Sequence, residues 1–173
     1  METTEHRRDS VNTILSKQQF EEISDCLSKL AEKLQVTAVF LVDSAGRGIA
    51  QKVLKSWEGD STLLSTLTAS SYSATKEMAR ILGEQSNFKM VLHEGKHHNV
   101  YVSAVDGDHF LIVVFESRVA LGMVRLFTKR TIAQLLPVLS EKGEGDFKMD
   151  QVFNQRFQSL LDEELDRSFK ELS

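Results

Sequence analysis

Apolar residues change their spacing several times along this chain, and each change predicts a new element. Between residues 16 and 34, apolar side chains recur at three- and four-residue steps, which predicts a helix with one buried face. Ser16 and Gln19 form a capping-box pattern at its start, and Leu15 and Phe20 can pack together as a hydrophobic staple. The predicted buried face consists of Phe20, Ile23, Leu27, Leu30 and Leu34.

A β-hairpin and a long helix are predicted next. The runs "QVTAVFLVD" (35–43) and "GIAQKVL" (48–54) are rich in β-branched and apolar residues, and glycine lies near the turn between them. Asp60 then begins a helix that is predicted over 60–83 and ends at Gly83. Its predicted core face consists of Leu64, Leu67, Ala74, Met78 and Leu82.

The other side of this long helix carries small side chains, namely Thr66, Ala69, Ser70 and Ser73. A solvated helix face usually carries lysine and glutamate instead. A smooth strip of this kind allows another backbone or a flat partner to approach closely. It therefore indicates either a partner surface or a helix that lies under another element of its own domain.

Three further strands are predicted at 87–94, 99–105 and 109–115. The first two alternate between apolar and polar residues. The third, "HFLIVVF", is continuously apolar, as expected of a central strand. The sequence Asp106-Gly107-Asp108 predicts a tight turn before it.

The C-terminal third predicts two more helices. Ser117 is the predicted cap of a helix at 118–140, which Pro137 is expected to kink or end because its ring removes a backbone hydrogen bond. The predicted organisation is a loose N-terminus (1–15), one domain (16–140), a linker (141–148) and an amphipathic helix (149–173). The apolar stripe of that last helix is Phe153, Phe157, Leu160, Leu161, Leu165 and Phe169.

Composition narrows the class of protein. The chain has 173 residues, 41% of them hydrophobic and 27% charged, which fits one globular domain with a tail. Cys26 is the only cysteine, so neither an internal disulfide nor a cysteine metal cage is expected. A net charge of −4 gives no support for nucleic-acid binding. No signal peptide or long apolar run is present, which predicts a cytoplasmic protein with no membrane insertion.

One short motif suggests metal chemistry. His93-Glu94-Gly95-Lys96-His97 matches the H-E-x-x-H pattern, which binds zinc when both histidines share a helical face. Here the motif spans the end of one predicted strand and the turn that follows. The longer form of this zinc-binding motif has a third histidine six residues after the second, and in this chain that position is Ser103. Solvated hairpin histidines are therefore expected, with a weak surface metal site at His93, His97 and His98 as the alternative.

No other segment predicts a reaction centre. Gly46-Arg47-Gly48 lacks the third glycine and the lysine of a phosphate-binding loop. The candidate carboxylates Asp25, Asp43, Asp106 and Asp108 lie at predicted turns or on solvated helix faces. We therefore expect an interaction module with no catalytic residue, cofactor or metal.

The order of elements resembles the Roadblock/dynein-light-chain family, and within it the bacterial MglB type. Three segments carry the likeness: "VTAVFLVDSAGRGIAQKV", "DSTLLSTLTASSYSATKEMARILGEQSNF" and "VSAVDGDHFLIVVFESRVALGMVRLFTKRTIAQL". The resemblance implies a layered α+β fold. A five-stranded antiparallel sheet would carry the long middle helix on one face and the first and third helices on the other.

The resemblance also implies dimers. The strand at 87–94, with Phe88, Met90 and Leu92, would pair with its twin in a homodimer, and the two middle helices would pack side by side. That pairing would also protect the exposed edge of the sheet.

MglB-type proteins are partners of the small Ras-like GTPase MglA in cell polarity and motility. The resemblance implies that the dimer binds the GTPase switch region and positions the GTPase's own residues for hydrolysis. The expected contact residues are Thr66, Ala69, Ser70, Ser73 and Glu77. Arg80 is the nearest basic residue, and a solvated or ion-paired role is expected for it. The alternative function is a scaffold of the same fold that does not activate a GTPase.

The C-terminal helix is where the chain departs from the minimal family pattern. It could reach a second site on the GTPase, or it could dock on its own domain.

Overall fold

The computed structural model describes residues 15–57, 59–86 and 88–141. Within these ranges the helices are α1 (Lys17–Leu34), α2 (Ser61–Ile81) and α3 (Leu121–Ser140), and the strands are β1 (Ala38–Asp43), β2 (Gly48–Val53), β3 (Met90–His93), β4 (His98–Ala104) and β5 (His109–Glu116). None of these helices is both long enough and apolar enough to cross a bilayer.

Residues 18–141 form one compact unit. Of the residues outside it, only 15–17 are described. The predicted linker beyond Glu141 and the predicted tail helix with its stripe from Phe153 to Phe169 lie outside the described residues. The predicted domain boundaries therefore stay predictions.

The five strands form one antiparallel sheet in the order β2-β1-β5-β4-β3. This arrangement confirms the predicted five-stranded sheet. The continuously apolar strand β5 lies in the middle and is buried along nearly its whole length, as its sequence indicates. Strands β2 and β3 form the two edges.

The helices lie in two layers. Helix α2 covers the sheet face that presents Phe40, Phe110 and Ile112, which pack with α2 in one core cluster. Lys52 pairs with Glu32 of α1 at 3.4 Å, which places α1 on the opposite face. Gln19 Nε2 donates hydrogen bonds to the carbonyl oxygens of Val138 and Glu141, at 2.8 and 2.7 Å. These bonds connect the start of α1 to the end of α3, so the predicted one-plus-two distribution of helices is confirmed.

One residue of the predicted α1 face is placed differently. Ile23, Leu27, Leu30 and Leu34 are buried, as predicted, but Phe20 is 48% exposed. Gln19 occupies the buried position instead, because its amide reaches the last carbonyl groups of α3.

The start of α3 also differs from prediction. The helix begins at Leu121 after Ala120, which makes no side-chain cap. The hydroxyl of Ser117 donates instead to the carbonyl oxygens of Gly95 and Lys96, so it supports the β3–β4 connection. Pro137 lies inside α3, which continues to Ser140. Of the two alternatives predicted for Pro137, a kink or an end of the helix, the end is excluded, while the predicted helix end at residue 140 is confirmed.

Candidate interaction surface

Helix α2 begins and ends where the sequence predicts. The carboxylate of Asp60 accepts hydrogen bonds from the backbone amides of Thr62 and Leu63, at 2.9 and 3.0 Å. At the other end Gly83 has φ +72°, a left-handed conformation that suits a glycine after a helix. Residues within the local sequence therefore define both ends of α2.

The buried face of α2 is built from small side chains. It consists of Ser65, Thr68, Ala69, Tyr72, Thr75 and Ala79. Small residues are needed because the turn between β1 and β2 approaches the helix closely. A Cβ placed on Gly46, which has φ +82°, would lie 2.6 Å from the Cα of Thr66. The backbone of the turn therefore packs directly on the backbone of α2.

Tyr72 is the one large side chain of this buried face. Its ring lies 4.5 Å from the Phe110 ring, measured between centroids. Its hydroxyl donates a hydrogen bond to the carbonyl oxygen of Phe88, at 2.5 Å. Burial raises the pKa of the Tyr72 hydroxyl, so it stays protonated and remains a donor. Tyr72 thus links α2 to the segment that leads into β3.

The large apolar residues of α2 point away from the sheet. Leu67 is 59% exposed and Ile81 is 71% exposed. This result overturns the predicted core face, of which only Leu64 packs against the core. Near the start of the helix the reason is geometric, since the Gly46 turn packs against the backbone of Ser65 and Thr66. The exposed apolar stripe of α2 consists of Leu63, Leu67, Ala74, Met78 and Ile81; Leu82, just after the helix, is exposed as well.

The predicted small-residue strip is exposed except at one position. Thr66, Ser70 and Ser73 are exposed, but Ala69 is only 3% exposed and packs in the core. Ala69 therefore lies in the core and not on the exposed strip. The hydroxyls of Thr66 and Ser70 each donate to the carbonyl oxygen four residues earlier, at 2.9 Å. These bonds fold the hydroxyls against the helix, so this side of α2 is smooth.

The exposed side of α2 ends in an ion pair. Arg80 Nε lies 2.9 Å from both carboxylate oxygens of Glu77. This hydrogen bonding lowers the pKa of Glu77 and raises that of Arg80. Arg80 is therefore ion-paired, which is one of the two states expected for it.

The edge strand β3 runs beside α2. Val91 of β3 packs against the same core as α2. The Ser71 hydroxyl lies 3.5 Å from His93 Nε2, which brings α2 to the end of the strand. Met90 and Leu92 are half-buried and lie on β3, as predicted. Phe88 precedes the strand rather than belonging to it.

The H-E-x-x-H motif does not lie on a helix. His93 ends β3 and His98 begins β4, so His97 lies in the connection between two strands. The Gly95 amide donates to Asn99 Oδ1 at 3.0 Å, which closes this turn. In the described part of the chain, no three His, Cys, Asp or Glu side chains come together as a metal site would require.

Two of the candidate carboxylates stabilise turns. Asp43 accepts from the amides of Ala45 and Arg47, both at 2.9 Å. Asp106 accepts from the amide of His109 at 2.8 Å and lies 2.8 Å from His109 Nδ1. Burial opposes ionisation of Asp106, but these hydrogen bonds outweigh it and lower its pKa. The bond to Asp106 raises the pKa of His109.

Comparison with known proteins assigns the family. A family model for the Roadblock/LC7 domain matches residues 22–116. The chain belongs to the Roadblock/LC7 family. This agrees with the resemblance drawn from the sequence.

Solved structures narrow the similarity further. The fold is similar to that of Myxococcus xanthus MglB, with 30% identity and a TM-score of 0.68, over 75% of this chain and 98% of that one. A structure described as MglB with tetrameric arrangement has 26% identity and a TM-score of 0.71, over 76% and 97%. The gliding protein MglB from Thermus thermophilus has 25% identity and a TM-score of 0.69, over 74% and 96%.

Sequence reasoning missed the apolar component of this surface. Leu63, Leu67 and Ile81 recur at helical spacing, and that pattern alone does not distinguish a core face from an interface. The available signal was the number of apolar residues. Leucine, methionine and isoleucine cover more of α2 than one buried face needs, while Tyr72 was left without an assigned side.

Proposed function

We propose that this protein is a regulator of a small Ras-like GTPase of the MglA type and that it acts as a homodimer in the cytoplasm. The observation that carries the proposal is one continuous surface on α2. An exposed apolar stripe lies beside a smooth strip of exposed hydroxyl residues, and the end of the edge strand β3 lies beside α2, where Ser71 approaches His93. The similarity to MglB supports it.

The apolar stripe is the proposed helix contact of the dimer. Leu63, Leu67 and Ile81 expose more than half of their surface in the single chain. A continuous apolar stripe of this kind is expected to be covered in a dimer. The β3 strands of two copies would pair through Met90 and Leu92, which joins the two sheets and removes one exposed edge. The tetrameric MglB structure supports self-association through some surface of this fold.

The hydroxyl strip is the proposed GTPase contact. The proposed contact comprises the exposed hydroxyl residues Thr66, Ser70 and Ser73, together with the neighbouring Glu77. The buried Ala69 is not part of it. Because the hydroxyls are folded against the helix, a switch segment can approach the backbone of α2 closely. The chain would contribute positioning and no catalytic group, so the GTPase's own residues would be held at the γ-phosphate. Arg80 is paired with the exposed Glu77 of its own helix, and the proposal assigns it no role in the GTPase site.

The name of the Thermus relative connects that protein to gliding. For this chain, the corresponding proposal is a role in cell polarity or motility. The alternative is a dimeric scaffold of the same fold that binds a partner without accelerating hydrolysis.

The experiment is phosphate release from an MglA-type GTPase of the same genome, with and without the purified protein. We expect acceleration that is lost in Ser73→Arg, because the long cation would block the smooth strip. The matched control is Ser140→Arg, which places the same change on exposed α3. Binding to the GTP form without acceleration would support the scaffold, and equal effects of the two variants would contradict the α2 contact.

A further inference from the structure

The outer side of α3 carries cations that no described carboxylate neutralises. Arg125, Lys129 and Arg130 all lie on α3, and no aspartate or glutamate occurs between Leu121 and Ser140. Elsewhere the described cations commonly form ion pairs: Lys29 with Asp25, Arg47 with Asp43, Lys52 with Glu32, Lys55 and Arg118 with Glu116, and Arg80 with Glu77. The α3 face is therefore locally positive on a chain of net charge −4.

A fourth cation joins this face from α1. The Lys33 Nζ lies 5.9 Å from the centre of the Phe127 ring, and the Arg130 guanidinium carbon lies 5.5 Å from the same centre. Both cations thus gather round one half-buried aromatic ring. Helix α1 also carries the carboxylates Glu21, Glu22, Asp25 and Glu32. Asp25 and Glu32 are bound by Lys29 and Lys52, and Glu22 accepts a hydrogen bond from Gln18, so these three are engaged within α1 or with β2.

Apolar side chains project from among these cations. Met123 is 46% exposed and Leu126 is 44% exposed. We define the cationic face of α3 as Lys33, Met123, Arg125, Leu126, Lys129 and Arg130. A helix that presents leucine or methionine between lysine and arginine suits the boundary of an anionic bilayer. The apolar groups enter the headgroup level, and the cations bind lipid phosphates.

The shape of this face favours a flat partner over a peptide. The cationic face is the convex outer side of a helix. One groove, of about 320 Å³, lies elsewhere, between β2, the start of α2 and Phe20, and no lysine or arginine lines it. A bilayer surface needs no groove.

We propose that the cationic face of α3 docks this protein on an anionic membrane surface. The contact is peripheral and requires no span. Because α3 is bonded to α1 on the sheet face opposite α2, docking leaves the exposed side of α2 open to a protein partner. The proposal does not depend on the identity of that partner.

The test is co-sedimentation of the full chain with lipid vesicles. We expect binding to phosphatidylcholine vesicles that contain roughly 30 mol % phosphatidylserine, little binding to phosphatidylcholine alone, and loss of binding when salt rises from about 0.1 to about 0.5 M. The double variant Lys129→Glu/Arg130→Glu should bind at least about tenfold more weakly, since each cation near an anionic surface contributes favourably.

The matched control is Lys89→Glu/Lys96→Glu, which makes the same change of charge at exposed lysines outside α3 and should keep most of the binding. Circular dichroism and the unfolding midpoint establish that each variant is folded, and the neutral pair Lys129→Gln/Arg130→Gln should show a smaller loss than the glutamate pair. Absence of binding to anionic vesicles, equal binding to neutral ones, or equal loss in the two glutamate pairs would overturn the proposal.

Discussion

The hydroxyl of Tyr72 donates a hydrogen bond to the backbone carbonyl of Phe88, with 2.5 Å between the two oxygens. Tyr72 is 1% exposed and sits in the middle of α2, while Phe88 immediately precedes β3. This contact connects the helix to the segment that leads into the edge strand, and helix and strand together form the proposed interaction surface. A core residue therefore helps to set their relative position, together with Val91, which packs on the same core.

Tyr72→Phe should destabilise the protein without removing the aromatic packing on Phe110. The substitution leaves the Phe88 carbonyl without its donor, and a lost hydrogen bond with an unsatisfied partner costs about 1–2 kcal/mol. Urea unfolding followed by circular dichroism measures this difference. A variant as stable as the parent would show that the bond contributes nothing net.

Gly46→Ala should be more damaging than an ordinary glycine substitution in a turn. The new Cβ would lie 2.6 Å from the Thr66 Cα, and the residue would have to keep φ +82°. The left-handed conformation alone costs roughly 1 kcal/mol, and the clash with a helix backbone adds to it. We expect a loss of at least about 2 kcal/mol in the free energy of unfolding.

The control for Gly46 lies two residues away. A Cβ added at Gly48 meets no atom within 4 Å. Gly48→Ala should therefore change the stability only slightly. Equal losses for the two variants in urea unfolding would show that the turn does not press on α2.

The sheet was predictable from sequence because each strand carries its own signal. β5 reads as a continuous apolar run and lies at the centre, and the alternating segment at 87–94 lies at an edge. The orientation of α2 was not predictable from its periodicity. Its exposed stripe and its buried face both recur at helical spacing, and the choice between them depends on contacts distant in sequence, such as the approach of Gly46 to Thr66 and the packing of Tyr72 on Phe110.

Sequence signals for the ends of a helix were also overridden by contacts with residues distant in sequence. Ser117 has the sequence context of a helix cap, but its hydroxyl binds the carbonyls of Gly95 and Lys96. Pro137 lacks an amide hydrogen, yet α3 extends past it to Ser140. A proline costs one intrahelical bond, and here it lies between Leu135 and Val138, which are both buried in the core.

Leu67→Glu should weaken the proposed dimer. Leu67 is 59% exposed in the single chain, so the substitution is tolerated in the folded monomer. In a dimer it would place a charge within an apolar helix contact, which costs several kcal/mol unless the charge is paired. Sedimentation velocity should show a shift toward monomer.

The matched control for Leu67 is Leu126→Glu on α3, which makes the same change at an exposed leucine on the other side of the sheet. It should leave the dimer intact. Unchanged association of Leu67→Glu would locate the dimer contact away from the α2 stripe.

The pairing of buried His109 with half-buried Asp106 predicts how the stability of the fold depends on pH. The pKa of His109 is raised above its ordinary value of 6.5, so its stabilising contribution is complete below that value and declines as the pH rises through the raised pKa. The pKa of Asp106 is lowered from 3.8, so its contribution is complete above that value and is lost as the pH falls through the lowered pKa. The pair therefore stabilises the fold most between these limits.

His109→Asn removes the titrating ring and therefore tests the direction of this pH dependence. The difference in unfolding free energy between the parent and the variant should be larger at about pH 5.5 than at about pH 9, because only the protonated ring pairs fully with Asp106. Urea unfolding at both pH values measures the difference. A difference that grew with rising pH would mean that His109 is buried as the neutral ring, and that its contact with Asp106 is an ordinary hydrogen bond instead of an ion pair.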